Sequence, residues 1–498
     1  MSSHGNDNEA RSEPPGPAAT TPRPPDADTA RDPGDAPPAA GRDAARIVAV
    51  RRFAAAARRW RGLRVTGCAV LLAVALSAGA VAVGGAREGA GAVPGAAPAG
   101  RPGAVRDAAG TDVGIPALEA RLRAQPRDFE GWAALGLAHV ELARTDGDPS
   151  RYPRAERALK RSEELKPGND QALSGRAALA AARHDFATAL AYADRALAAN
   201  PYNERALCSR VDVLVELGRY DDAARAADTA DTRRPGVPVF TRYAYVRELR
   251  GETDTARKVL ERALAAASSP ADVAYVATQL GHLARRQGDR PAALRHYARA
   301  LAADDAYLPA LEGRARARAA SGDRDGAVGD LERVVARAPL PGPLVALGEL
   351  YEVRGDQAKA REQYTLVDAW TALARAGGVE ADLDTALAAA DHGDRKAALR
   401  AARAEWDRRR TVHTANAVAW ALHVNGRDRE ALPYARRAVA TGYRDATFLY
   451  HLGVIERAVG RHGDARRHLS AALGLDPGFS PLGAREARRA LKELEADR

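Results

Sequence analysis

Residues 201–235 read PYNERALCSRVDVLVELGRYDDAARAADTADTRRP, and this stretch decides the fold. Leu207, Leu214 and Leu217 recur at helical spacing and line one face. Gly218 interrupts that pattern, Tyr220 resumes it, and Ala223, Ala227 and Ala230 mark a second helix. Pro235 closes the unit, because proline lacks a backbone donor and its ring clashes with the preceding turn. The product is a helix–turn–helix hairpin. Pro167, Pro201 and Pro235 stand 34 residues apart, so the hairpin recurs at a fixed period.

The residue types follow from packing. Glycine reaches the left-handed conformation that ends one helix and reverses the chain in a short loop. Alanines on the second helix let the two axes approach, where leucine would hold them apart. A lone hairpin cannot bury its apolar stripe, so it must stack on neighbours, and the array must end in a polar cap. The stretch Pro481–Arg498, with Leu482, Ala487, Ala490, Leu491 and Leu494 apolar and charges opposite, is the expected closing helix.

The same grammar runs through the chain. Trp132-Ala133-Ala134-Leu135-Gly136 opens a copy that continues with Ala155, Leu159 and Pro167 after a loop insertion at Arg144–Tyr152. Leu-Gly recurs at Leu280-Gly281, Leu347-Gly348 and Leu452-Gly453. Turn glycines fall at Gly251, Gly288, Gly322, Gly355, Gly393, Gly426 and Gly460, each followed five residues later by Ala256, Ala293, Ala327, Ala360, Ala398, Ala431 or Ala465. This register resembles the tetratricopeptide repeat (TPR) family, and its Trp-x-x-Leu-Gly opening is matched at Trp132. The resemblance implies an all-α superhelical solenoid over residues 115–498, of about ten repeats. The eighth, roughly Val379–Arg410, is the least typical, and Trp370–Gly378 is expected to form a distorted junction. No sustained alternation of β-branched and aromatic residues suggests a strand. The Ala/Arg/Gly-rich composition, with no internal methionine, resembles proteins of high-GC bacteria such as actinomycetes.

Upstream the chain changes character. Residues 1–45 are rich in Pro, Ala, Asp and Gly and carry four arginines against eight acids, which predicts disorder. Residues 46–64 hold seven arginines and no acid, interleaved with Phe53 and Trp60. Residues 65–86 contain no charge; as a helix these 22 residues reach about 33 Å, enough for the ~30 Å hydrocarbon core. One transmembrane helix is expected there. The arginines before it place the N-terminus in the cytoplasm and the repeats outside, and they suit anionic headgroups. Residues 87–114 are an Ala/Gly/Pro-rich flexible linker. Two other readings arise here. Ala78-Gly79-Ala80 has the small-x-small pattern of a signal-peptidase site, giving a secreted soluble repeat protein, although the charged leader is far longer than a secretory one. Val65-Thr66-Gly67-Cys68 resembles a lipobox but precedes the apolar run instead of following it. A cytosolic repeat regulator is the alternative from another class.

Charge and motifs narrow the chemistry. The net +10 resolves into −4 over residues 1–45, +7 over residues 46–64, and +7 spread over the remainder among interleaved acids. That distribution describes a solvated surface and not a phosphate-binding stripe, so no nucleic-acid partner is expected. The chain lacks a phosphate loop, a Gly-x-Ser-x-Gly nucleophile turn, a dinucleotide fingerprint and a His-Glu-x-x-His pair. His462 and His468 share a hairpin at a spacing poor for two ligands on one face. No enzyme activity, cofactor or metal is expected. Cys208 is read as a small buried thiol without a disulfide partner.

Binding remains. In the resembling family the first helix of each hairpin lines a concave groove, which implies a noncatalytic scaffold or adaptor holding a protein or peptide ligand. Carried onto this chain residue by residue, the groove positions are Asp212, Tyr245, Thr278, His282, Arg285, Glu312, Arg316, Asn416, Trp420 and Tyr450. Arginines there suit an acidic peptide and the aromatics supply stacking area. The Lys/Asn carboxylate clamp of chaperone-docking members is not evident. Oligomeric state is not readable from the sequence.

Overall fold

The computed structural model describes residues 114–146, 149–376 and 383–496, all within one unit, Arg46–Arg498. The acidic leader, the basic block, the apolar run and nearly all of the linker lie outside the described residues. Among the described residues no strand occurs, and no helix is long and apolar enough to cross a membrane.

Among the described residues, helix α1 (Gly114–Ala124) precedes ten antiparallel hairpins. Hairpins 1 to 5 pair α2 (Phe129–Asp146) with α3 (Tyr152–Leu165), α4 (Asp170–Ala182) with α5 (Phe186–Ala199), α6 (Glu204–Glu216) with α7 (Tyr220–Arg233), α8 (Val237–Leu249) with α9 (Thr253–Ala266), and α10 (Pro270–Arg286) with α11 (Arg290–Ala303). Hairpins 6 to 10 pair α12 (Leu308–Ala320) with α13 (Arg324–Arg337), α14 (Pro341–Val353) with α15 (Gln357–Ala376), α16 (Leu383–His392) with α17 (Arg395–Arg408), α18 (Val412–His423) with α19 (Asp428–Val439), and α20 (Ala446–Ala458) with α21 (His462–Leu475). Helix α22 (Gly483–Ala496) closes the array with Ala484, Ala487, Ala490 and Leu494 buried. This is an all-α, TPR-like solenoid.

Small residues sit where close approach demands them. A Cβ on Gly281 would stand 2.5 Å from Cε1 of Tyr297, so the glycine on the first helix makes room for a bulky side chain from the second. Ala256, Ala293, Ala327, Ala360, Ala398, Ala431 and Ala465 are all buried at the hairpin contacts. The turn glycines, Gly218 included, have left-handed φ of 71° to 91°, with the exception of Gly393. In hairpin 2 the same slot holds His184, at φ 59°. The start of the junction is more regular than its sequence suggests: α15 runs 20 residues to Ala376, and Trp370 packs with Ala338 and Leu340 to extend it. The insertion in hairpin 1 is likewise largely helical, through the end of α2 and a 3₁₀ turn at Pro149–Arg151.

The solenoid also closes against itself. One buried cluster joins Val211, Leu214 and Leu249 of hairpins 3 and 4 to Val412, Val418 and Phe448 of hairpins 9 and 10. Helix α18 is buried from Val412 to Leu422 apart from His413, the signature of a helix enclosed on all sides. The contact is a seam with a regular offset. Arg410 N–H donates to the Glu216 carbonyl at 3.1 Å, and Val412 N–H donates to Tyr220 Oη at 2.8 Å, across 192 residues. One hairpin further on, a Cβ on Gly251 would lie 2.6 Å from the Gly442 carbonyl oxygen. The next step brings Gly288 to Leu475, with Arg290 3.5 Å from Asp476.

The first step of the seam holds a buried charge network. Arg409, 5% exposed, reaches Glu216 at 3.4 Å and also pairs with Glu405, which Arg408 contacts at 2.6 Å. Burial pushes the Glu216 carboxyl up from 4.5 to about 7, although Arg409 pulls the other way. A carboxyl that holds its proton more tightly when folded contributes stability that is present below pH 4.5 and lost as the pH rises through about 7. Unfolding free energy should therefore fall from acidic to mildly alkaline pH by about 3 kcal/mol from this group. Urea titrations of the native chain and of Glu216→Gln check this; equal pH slopes for both would refute it.

Candidate functional site

The ten groove residues fall into two groups. Asp212, Tyr245, Thr278, His282, Arg285, Glu312 and Arg316 lie on the first helices of hairpins 3 to 6. Asp212 accepts from Arg242 Nε at 2.9 Å, and Glu312 pairs with Arg316 one turn on at 2.8 Å. Thr278 is wholly buried and its Oγ1 donates to the Ala274 carbonyl at 2.7 Å. His282 Nδ1 lies 2.9 Å from Tyr297 Oη, and burial, with Arg286 and Arg285 nearby, holds the imidazole well below its usual range. Tyr245 packs on the seam cluster, and burial raises its phenol well above the ordinary value. Arg285 keeps a buried Nε without a hydrogen-bond partner. Most of these side chains are satisfied inside the protein.

Asn416, Trp420 and Tyr450 converge in hairpins 9 and 10, and they too are buried. Trp420 stacks on His451 with centroids 3.9 Å apart and on His423 at 4.9 Å. Its Nε1 donates to Asp391 Oδ1 at 2.6 Å. Burial pushes His451 down to about 3, so the ring is neutral, and its Nδ1 meets Asn416 Oδ1 at 2.9 Å. Tyr450 leans on Phe479 at 5.5 Å. At 3%, 8% and 5% exposure, Asn416, Trp420 and Tyr450 present little surface to a partner.

Beside this cluster, between hairpins 7 and 8, lies a cavity of 360 Å³. Val345, Val367, Ala388 and Ala397 give it an apolar lining, and Tyr364 and His392 form one wall. Their rings stack at 4.0 Å, nearly parallel at 11°. Tyr364 Oη donates to Glu352 Oε2 at 3.1 Å, and His392 Nε2 lies 3.6 Å from Glu349 Oε1. Burial disfavours the charged His392 ring, but Glu349 with Asp391 and Glu352 overcomes it and holds the imidazolium above its usual range. Asp394 lines the far end, where it caps α17 through the N–H groups of Lys396 and Ala397. This site was not legible in the sequence, because its residues come from two hairpins, one of them the least typical copy. Aromatic and acidic residues on α14, α15 and α16 were the available signal.

Residues 416–478, most of hairpins 9 and 10, match the tetratricopeptide repeat family model. These hairpins are TPR-like. No curated protein matches the chain. Among solved structures, the human IFIT1 dimer with m7Gppp-AAAA is 16% identical over 66% of this chain and 76% of that one, at a TM-score of 0.43. PilW, a widely conserved type IV pilus biogenesis factor, is 21% identical over 40% and 92%, at 0.36. YrrB, a TPR protein with an unusual peptide-binding site, is 19% identical over 36% and 93%, at 0.28. Among the described residues of this TPR-like chain, no group of three or more His, Cys, Asp or Glu is placed to hold a metal ion. Burial pushes the Cys208 thiol up to about 11, which leaves it an inert small core residue.

Proposed function

We propose that this protein is a noncatalytic scaffold whose TPR-like solenoid binds a protein or peptide partner. It is held in the cell membrane by residues 65–86, with residues 46–64 at the cytoplasmic surface and the repeats outside the cytoplasm. The cavity between hairpins 7 and 8 carries the binding part of this reading: an apolar, aromatic-walled hollow edged by polar groups is the usual form of a recognition site. The anchor rests on the uncharged run and on the arginines that precede it.

Crosslinking in cells with the full chain tests the binding. A partner is expected that is lost when Ala369→Leu, at a half-buried lining position, fills the cavity while the helical melting curve is kept; an unchanged crosslink pattern would sink this site. Protease added to spheroplasts tests the topology. The repeats should be digested from outside, whereas protection would favour the cytosolic regulator. A mature N-terminus just after Ala80 would instead favour the secreted form.

A further inference from the structure

We propose that the cavity between hairpins 7 and 8 receives an uncharged aromatic side chain carried on a short segment of the partner. This rests on the reading of the solenoid as a binding scaffold and deepens it.

The deeper part of the hollow is apolar, with Val367, Ala388 and Ala397 buried along it. The charged residues of its lining are Asp368, Asp394 and His392, and each is already engaged. Asp394 Oδ1 accepts from the N–H groups of Lys396 and Ala397 at 2.9 and 3.0 Å, with Arg400 nearby. Asp368 has its own partner within the protein. His392 faces Glu349, which lies outside the lining. A charged occupant would give up its water here and find the opposite charges taken, whereas an uncharged apolar group loses nothing on entry. A lysine or arginine would also meet the His392 imidazolium.

Volume and wall then select an aromatic group over an aliphatic one. A cavity of roughly 150 Å³ is enough to hold a benzene ring, so 360 Å³ admits a whole phenyl, phenol or indole group. A single aliphatic side chain would leave much of that space without contacting atoms. Tyr364 and His392 both line the hollow, their rings stacked at 4.0 Å. A further ring gains aromatic contact with that pair, and its negative face attracts the imidazolium that Glu349, Asp391 and Glu352 hold. Leucine or valine gains neither. The volume sits at the lower end of the ~300–1,000 Å³ range of ligand pockets, which suits one side chain on a short segment and not a folded domain.

Photolabelling of the full-length chain in detergent tests the proposal. The probe is N-acetylphenylalaninamide bearing a para diazirine, and its adducts are mapped by mass spectrometry. They should fall on lining residues between Tyr364 and Ala397. N-acetyltryptophanamide should displace the probe at about tenfold lower concentration than N-acetylleucinamide or N-acetylargininamide, the scale of an aromatic contact beyond simple burial. Ala369→Leu should abolish the labelling, and Asp194→Asn, in hairpin 2, should leave it unchanged. If Ala369→Leu loses cooperative melting, Ala372→Leu, at an exposed lining position, carries the comparison. Adducts confined to other hairpins, equal displacement by the three amides, or labelling that survives the leucine would overturn the aromatic assignment. Should cellular crosslinks still vanish with Ala369→Leu, the scaffold reading would stand while this inference fell. Crosslinks indifferent to Ala369→Leu would remove the site from both.

Discussion

Arg409→Met is expected to lower the unfolding free energy by about 3–5 kcal/mol, the cost of breaking a buried ion pair by removing one partner. Among the described residues Arg409 alone pairs with Glu216, and it shares Glu405 with Arg408. Methionine retains much of the volume, so the loss falls on charge and not on packing. The two carboxylates can relieve the penalty by taking up protons. The effect should therefore be larger at mildly alkaline than at acidic pH, the same direction that the raised Glu216 carboxyl imposes. Urea midpoints on both sides of neutrality measure both features. A loss below about 1 kcal/mol in alkaline buffer, the scale of an exposed pair, would mean that the seam does not depend on this network.

Gly251→Ala is expected to cost about 2–4 kcal/mol, from two sources. Its φ of 77° imposes roughly 1–2 kcal/mol on any side chain, because the left-handed backbone crowds Cβ against the next carbonyl. Its Cβ would also stand 2.6 Å from the Gly442 carbonyl oxygen, and a backbone atom can yield only if the seam opens. Gly322→Ala and Gly355→Ala separate the two terms, since both have left-handed φ (91° and 83°) with nothing within 4 Å of the added carbon. Thermal melting of the three variants should rank Gly251→Ala clearly lowest. A tie would leave only the backbone term.

Local features of this fold were legible in the sequence, and long-range ones were not. Turn glycines, contact alanines and terminating prolines each report on residues a few positions away, so ten hairpins and the closing helix follow from their spacing. Gly393 and His184 are exceptions of the same local kind: one glycine is not left-handed, and one histidine takes the place a glycine usually fills. What faces the inner wall is decided at much greater separation, 192 residues at the Val412–Tyr220 bond. Thr278, Asn416, Trp420 and Tyr450 have the chemistry of contact residues, yet they are buried. A hint lay in α18, whose run from Ala417 to Leu422 is wholly apolar or aromatic and suits an enclosed helix better than a half-exposed one. The cavity was harder still, since Tyr364 and His392 meet only once two neighbouring hairpins have stacked.

The wide sequence offset across the seam has a consequence for biosynthesis. Hairpins 3 and 4 leave the ribosome with Val211, Leu214 and Leu249 uncovered, and their cover, Val412 and Phe448, is made much later. At ~5–20 residues per second the wait is on the order of 10–40 s, during which a greasy strip stands open to any passing chain. An extended array of the same units could mature one module at a time; this one must keep its early modules soluble until the last three arrive.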